Sequence, residues 1–218
     1  MHPLSLLADP TQPLHVLCLG AHSDDIEIGC GATLLRLAEE YPGLVVDWVV
    51  FSGSPQRAKE ARASATRFLR KVKKKNIATH AFRDGFFPYI GGEIKDVFEG
   101  LKRSTTPQLV FTHYRNDLHQ DHRVISELTC NTWRSHVILE YEIMKYDGDL
   151  GQPNVFVPVT EKQLDTKIKI LLEAFPTQAS KHWFDRETFR ALPRLRGMEC
   201  NAPTRFAEAF YGHKVRLF

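Results

Sequence analysis

Two short clusters of histidine and carboxylate side chains carry the reactive chemistry available to this 218-residue chain. The first is Ala21-His22-Ser23-Asp24-Asp25-Ile26-Glu27 and the second is Asn116-Asp117-Leu118-His119-Gln120-Asp121-His122. Two imidazoles and one carboxylate, with positions left for water and substrate, make a catalytic zinc site. His22 and Asp25 are three apart on a tight turn and can converge on one ion. His119 and His122 have the same spacing, and Asp121 beside them can hold one ring in place by a hydrogen bond. The adjacent Asp24 and Asp25 cannot both address one ion in the same way, so one ligand and one general base is the economical division. A bound ion would lower the pKa of a water molecule, and the free carboxylate would take its proton. The spare histidine would stabilise the developing oxyanion or protonate the leaving group.

Each cluster has a bland reading. Asp24 or Asp25 could be the N-cap of a helix beginning near Gly31. His119 and His122 could be ordinary polar residues at a helix start. What favours a site is that each cluster follows its own strand-like run, and ligands of open α/β sheets bind beyond the carboxyl ends of strands.

Those runs belong to a regular pattern. His15–Gly20 is a short β-type segment bounded by turn residues, and Ala32–Ala38 reads as a helix ending before Pro42-Gly43. Leu44–Phe51 is a second strand, Gln56–Lys71 a second helix and Ile77–Phe82 a third strand. Gly92–Arg103 is a third helix, Gln108–Thr112 a fourth strand and Asp121–Trp133 a fourth helix. This alternation is the signature of βαβ units and a mainly parallel, Rossmann-like α/β sheet flanked by helices. Val137–Ile143 reads as a fifth strand. The C-terminal part is less regular: a strand at Val155–Val159, a helix at Glu161–Phe175, then a loop-rich tail, with stops at Pro153, Pro158, Pro176, Pro193 and Pro203. No boundary divides the chain, so a single domain over residues 1–218 is expected.

Composition narrows the classes. The chain is 43% hydrophobic and 25% charged, ordinary for a globular protein, and a net charge of +3 is too small to argue for nucleic acid or another polyanion. Cys18, Cys30, Cys130 and Cys200 are scattered without a C-x-x-C pair, which suggests free thiols in a reducing compartment. No apolar run reaches the length of a membrane span, and Met1 to Pro13 lacks the pattern of a signal peptide. The expected location is the cytoplasm. The oligomeric state stays open, a homo-oligomer included.

The first cluster resembles the A-H-P-D-D-x-E motif of the LmbE-like (PIG-L) zinc-dependent N-deacetylases, and His119-Gln120-Asp121-His122 is similar to that family's H-P-D-H. Arg57 to Glu60 resembles an R-x-x-E early in the second helix, and Ala207-Glu208-Ala209-Phe210 an A-E-x-F near the C-terminus. The resemblance implies a Rossmann-like fold and removal of an acyl group, usually acetyl, from an amino sugar or its glycoside, nucleotide-sugar or biosynthetic conjugate. It implies Zn2+ held by His22, Asp25 and His122, although the same ligands also accept iron, cobalt or manganese. It makes Asp24 the general base and His119 the oxyanion-stabilising or acid group. Asp121 becomes the orienting partner of His119 or of a metal ligand. Ser23 and Gln120 each stand where the family usually has proline, a loss of turn rigidity rather than of chemistry.

Softer candidates surround these. Arg57 could bind a substrate hydroxyl or phosphate, or simply lie on a solvated face. Asp117 could contact a sugar hydroxyl or turn the loop, and Tyr114 and Arg115 could line a pocket. Glu142 could face the site or pair with a lysine. Phe86-Phe87-Pro88-Tyr89 could wall a pocket or belong to the core, and Arg70 to Lys75 should close the second helix with cations. Two other functions compete. Gly29-Cys30-Gly31 at a helix start invites a dinucleotide-binding oxidoreductase, but the first turn, where a Rossmann fingerprint needs glycines, holds acidic residues that would repel a pyrophosphate. A non-catalytic metal- or sugar-binding protein of the same fold is the third reading.

Overall fold

The computed structural model describes residues 12–214, so most of the N-terminal stretch read for a signal peptide lies outside the described residues. The chain runs β1 (His15–Gly20), α1 (Asp25–Glu40), β2 (Val45–Ser52), α2 (Pro55–Phe68), β3 (Lys74–Phe82), α3 (Gly91–Ser104), β4 (Leu109–His113), α4 (Gln120–Thr132) and β5 (Val137–Tyr141). It then continues through β6 (Val155–Val159), α5 (Glu161–Ala174), α6 (Arg186–Glu199) and β7 (Phe206–Gly212). One seven-stranded sheet takes the order β3-β2-β1-β4-β5-β7-β6. Strands β1 to β5 pair in parallel, while β7 is antiparallel to both β5 and β6.

Period-2 alternation explains why helices cover both faces. Along β1, Val16 and Cys18 enter one apolar cluster with Trp48, Phe68, Phe111 and Phe175. Leu17 and Leu19 enter another with Phe51, Phe98, Val110 and Trp133. A strand apolar on both sides must be buried on both sides, and β1 is the centre of the parallel part. Chain order reverses between β1 and its neighbour β4, and the crevice at such a reversal is where open α/β sheets bind ligands. The two clusters follow these two strands.

Four expectations need correction. Helix α1 starts at Asp25, not Ala32, because the first cluster itself forms its opening turn. The tail is not loop-rich: it holds α6 and β7, and β7 inserts between β5 and β6. Pro193 lies inside α6 and Pro158 inside β6, so neither is a stop. Tertiary packing carries α6 past its proline, and β6 is an edge strand, where a missing N–H is tolerated. The basic run is also divided differently: α2 ends at Phe68 and Lys74 opens β3. Lys75 nonetheless reaches back to the carbonyls of Leu69 and Val72 at 3.1 and 2.8 Å, the cationic closure expected at a helix end. All four cysteines are free.

Candidate active site

The turn after β1 is fixed from both sides. The Asp25 carboxylate accepts the His22 backbone N–H at 2.6 Å, and the Ala21 N–H donates to His113 Nε2 at 2.9 Å. Asp24 occupies the N-cap position of α1, but its side chain makes no capping bond. The bland cap reading therefore leaves that carboxylate unexplained. His119 does cap α4, its Nδ1 accepting the Asp121 N–H at 3.3 Å.

Three donor atoms from the two clusters meet. His22 Nδ1 lies 3.1 Å from His122 Nε2 and 3.3 Å from Asp25 Oδ2, and the Asp25 and His122 atoms are 3.6 Å apart. Ligands on a tetrahedral ion at bonds of about 2.1 Å stand about 3.4 Å from one another. The triangle therefore fits a zinc-sized ion. Overlapping groups extend it, namely His22, His119 and His122 on one side and Asp25, His113 and His122 on the other.

Both histidines of the triangle are held from behind. His122 Nδ1 donates to Asp117 Oδ2 at 2.9 Å, and Lys145 Nζ donates to the same oxygen at 2.8 Å. The other Asp117 oxygen accepts the His119 N–H at 2.7 Å. Asp117 therefore positions the second cluster from inside it and is buried. His22 Nε2 faces Asp84 Oδ1 at 3.1 Å and Asp121 Oδ2 at 3.4 Å. Asp121 in turn accepts the backbone N–H groups of Gly85 and Phe87 at 2.7 and 3.1 Å. It orients His22 rather than the His119 ring beside it in sequence. Hydrogen bonds stand where proline was missed: Gln120 donates to the Gly85 carbonyl, and Ser23 Oγ to that of Ser52 at 3.4 Å.

The charges follow from these contacts. Burial opposes ionisation of Asp25, but His122, His113 and His22 around it hold its carboxyl well below the ordinary range. Burial pushes Asp24 up, and Arg57 only partly offsets this. Burial also works against a charged His22 ring, yet the Asp25 charge and hydrogen bonds with Asp121, Asp25 and Asp84 raise its pKa well above that of free imidazole. His122 is pushed down to about 3 by burial and then by His113. His119 is lowered by burial and by His22. With Nδ1 accepting a backbone N–H, the neutral His119 ring carries its proton on Nε2, a donor.

The softer candidates separate. Arg57 is not on a solvated face: its NH2 donates to Asp24 Oδ1 at 2.8 Å, and its NH1 to Glu60 and Thr177 at 3.3 Å each. The Tyr114 ring stacks on that of Tyr211, with centroids 3.8 Å apart. Arg115 pairs with Glu140. Glu142 is buried against Arg196 at 2.6 Å and pairs with no lysine among the described residues. Phe87 is core, while Phe86 and Tyr89 are exposed. Gly29 and Gly31 serve packing: a Cβ would come within 2.3 Å of the Tyr141 ring at Gly29 and within 2.8 Å of the Phe68 ring at Gly31. Asp84, His113 and Lys145 were missed as site residues. Asp84 carried a signal, an Asp-Gly turn after the third strand on the same sheet edge; Lys145 carried none.

The chain is similar to several known proteins. The chain is 28% identical over 183 residues to the uncharacterised deacetylase YaiS of Escherichia coli K12, covering 77% of this chain and 94% of YaiS. The conserved protein TT1542 of Thermus thermophilus superposes with a TM-score of 0.75 at 20% identity, over 94% of this chain and 97% of that one. The N,N'-diacetylchitobiose deacetylase of Pyrococcus horikoshii does so with a TM-score of 0.70 at 22% identity, over 95% and 88%. The model of the PIG-L family, described as GlcNAc-PI de-N-acetylase, matches residues 17–133, more than half the chain and both clusters, and the protein belongs to that family.

Proposed function

We propose that this protein is a zinc-dependent amide hydrolase that removes an N-acetyl or similar acyl group from an amino sugar carried as a glycoside, nucleotide sugar or biosynthetic conjugate. The observation that carries this reading is the triangle of His22, Asp25 and His122 donor atoms, 3.1 to 3.6 Å on a side, with the Asp24 carboxylate and the His119 ring next to it in sequence. The family description and the chitobiose-deacetylating relative support the sugar class.

Zinc, when bound, would polarise the amide carbonyl and make a water molecule acidic enough to attack it at neutral pH. Asp24 takes that water's proton. Its raised pKa suits a general base, and the Arg57 bond to Oδ1 holds the carboxylate in one orientation with Oδ2 left over for the proton. His119 Nε2–H donates to the oxygen on which negative charge develops, a fixed donor needing no reorganisation during reaction. Asp24 then returns its proton to the nitrogen as the C–N bond breaks, giving the free amine and a carboxylic acid that loses its remaining proton to solvent. Asp117 and Asp121, both buried, hold the two histidine ligands from behind.

The test is acetate release from a panel of N-acetylated glycosides, chitooligosaccharides and nucleotide sugars with zinc-loaded protein. Release from at least one class is expected, abolished by a chelator and restored by zinc. A zinc-loaded protein inactive on every class overturns the deacetylase reading.

A further inference from the structure

Helix α1 is not continuous. Cys30 sits at φ −141° and ψ 15°, outside helical values, so the opening turn with Asp25 is separated from the segment that runs on to Glu40. An interior break strips hydrogen-bond partners from carbonyls before it and N–H groups after it, and buried groups of either kind need replacements. Two residues distant in sequence provide them. Lys167 Nζ, from α5, donates to the Ile28 carbonyl at 2.6 Å. The Glu208 carboxylate, from β7, accepts the Ala32 N–H at 3.0 Å and the Thr33 N–H at 2.6 Å. Lys167 and Glu208 also bind each other at 2.6 Å, and both are nearly inaccessible at 2% and 4%. The signs match the local dipoles, with a cation at the carboxyl end of the first turn and an anion at the amino end of the second segment.

We infer that Lys167 and Glu208 are positioning residues for the proposed metal site, a clamp that sets the turn presenting His22, Asp24 and Asp25. The inference rests on the metal reading of that turn. A buried ion pair is weak evidence for stability as such, because burying both charges costs about what their attraction returns. Its three bonds to one helix break point to the turn instead. The clamp also assigns work to the Ala207-Glu208-Ala209-Phe210 motif, which lies on β7 away from the triangle and bonds to α1 and α5 rather than to a metal ligand. It makes ligand geometry depend on α5 and β7, outside the segment matched by the family model.

The test measures zinc affinity of the full chain by competition with a chromophoric chelator, with cobalt absorption as a second readout of ligand geometry. Lys167→Met leaves Glu208 as a lone buried charge, so the charge-neutral double variant Lys167→Met/Glu208→Gln is the deciding one. Arg196→Met is the control, since it breaks a buried pair with Glu142 that makes no bond to α1. The expected result is a loss in zinc affinity of about 10- to 100-fold in the double variant, the usual effect of removing groups that orient metal ligands. An altered cobalt spectrum should accompany it, with Arg196→Met shifting thermal stability but not affinity. Parent-like affinity in the double variant overturns the clamp, as does an equal affinity loss in Arg196→Met. A double variant that does not fold overturns it too, showing that the pair supports the whole fold rather than the turn. A parent protein that binds no zinc refutes the metal reading itself, which is a different failure.

Discussion

Asp117→Asn is the sharpest perturbation of the proposed metal site, because it alters no ligand and almost no volume. Asp117 Oδ2 accepts from His122 Nδ1 at 2.9 Å and from Lys145 Nζ at 2.8 Å, while its other oxygen accepts the His119 N–H at 2.7 Å. An amide can keep only one oxygen, and its NH2 group must then face at least one existing donor. The His122 ring loses its charged acceptor, its proton is no longer fixed on Nδ1, and the fraction with Nε2 free to bind an ion falls. Loss of such a partner weakens metal affinity by about 10- to 100-fold, or about 1.4 to 2.7 kcal/mol. The carboxylate is held ionised to very low pH: burial raises its pKa, but bonds with His122 and Lys145 more than reverse this. The substitution therefore acts over the whole neutral range. Chelator competition gives the zinc dissociation constant, and thermal unfolding with and without zinc gives the stability linked to it. At fixed zinc in excess of both constants, each tenfold loss in affinity removes about 1.4 kcal/mol of zinc-dependent stabilisation. An affinity within about twofold of the parent, below the range that such a partner controls, would show that Asp117 does not orient a metal ligand, and that His122 is held otherwise or holds no metal.

Other perturbations separate the remaining roles. Asp24→Asn should keep zinc stoichiometry and lose about 10²- to 10⁴-fold in turnover, measured as acetate release; parent-like turnover would remove Asp24 as general base. Zinc binding should release protons, because the raised pKa of His22 leaves its ring protonated in the neutral range while His122 and Asp25 are already deprotonated. Apparent affinity should rise with pH until the His22 pKa is passed, then level off. Calorimetry in buffers of different ionisation enthalpy checks this, and a pH-independent affinity contradicts it. Gly29→Ala should destabilise by about 1–3 kcal/mol or more, since the new methyl meets the Tyr141 ring at 2.3 Å; an unchanged thermal midpoint would mean that β5 yields freely there.

The parallel half of the fold was legible because periodicity and burial agree there. His15–Gly20 reads as a strand and is β1, and each later strand through β5 lies within a few residues of its expected place. In the C-terminal part Val155–Val159 and Glu161–Phe175 read as a strand and a helix and are β6 and α5, but α6 and β7 were not legible. Pro193 and Gly197 break the local helical pattern of α6, and only its packing against the loop before β7 explains them: a Cβ at Gly197 would come within 2.3 Å of the Arg205 carbonyl oxygen. The insertion of β7 between β5 and β6 is a long-range pairing with no local signal. At the site, motif order picked out the side chains that the fold brings together but not their supports. Asp117 and Asp121 could not be assigned to rings by adjacency, and the chain crosses them: Asp121 serves His22 of the other cluster, while Asp117 reaches five residues forward to His122.

The neighbouring aspartates show why spacing alone could not divide their labour. In sequence Asp24 and Asp25 are interchangeable, two carboxylates in one turn. The start of α1 sends them to opposite surroundings. Asp25 meets three imidazoles and is held ionised, as a metal ligand must be. Asp24 meets burial, one guanidinium and the charge of Asp25, and its pKa rises. Environments that push two adjacent groups apart in this way separate an ion-holding role from a proton-carrying one. Arg57 keeps the separation from going too far. Without its bond to Asp24, burial and the Asp25 charge would both favour the protonated acid, and a protonated Asp24 cannot take a proton from water. Arg57 thus supports the proposed base directly, whether or not it also touches substrate.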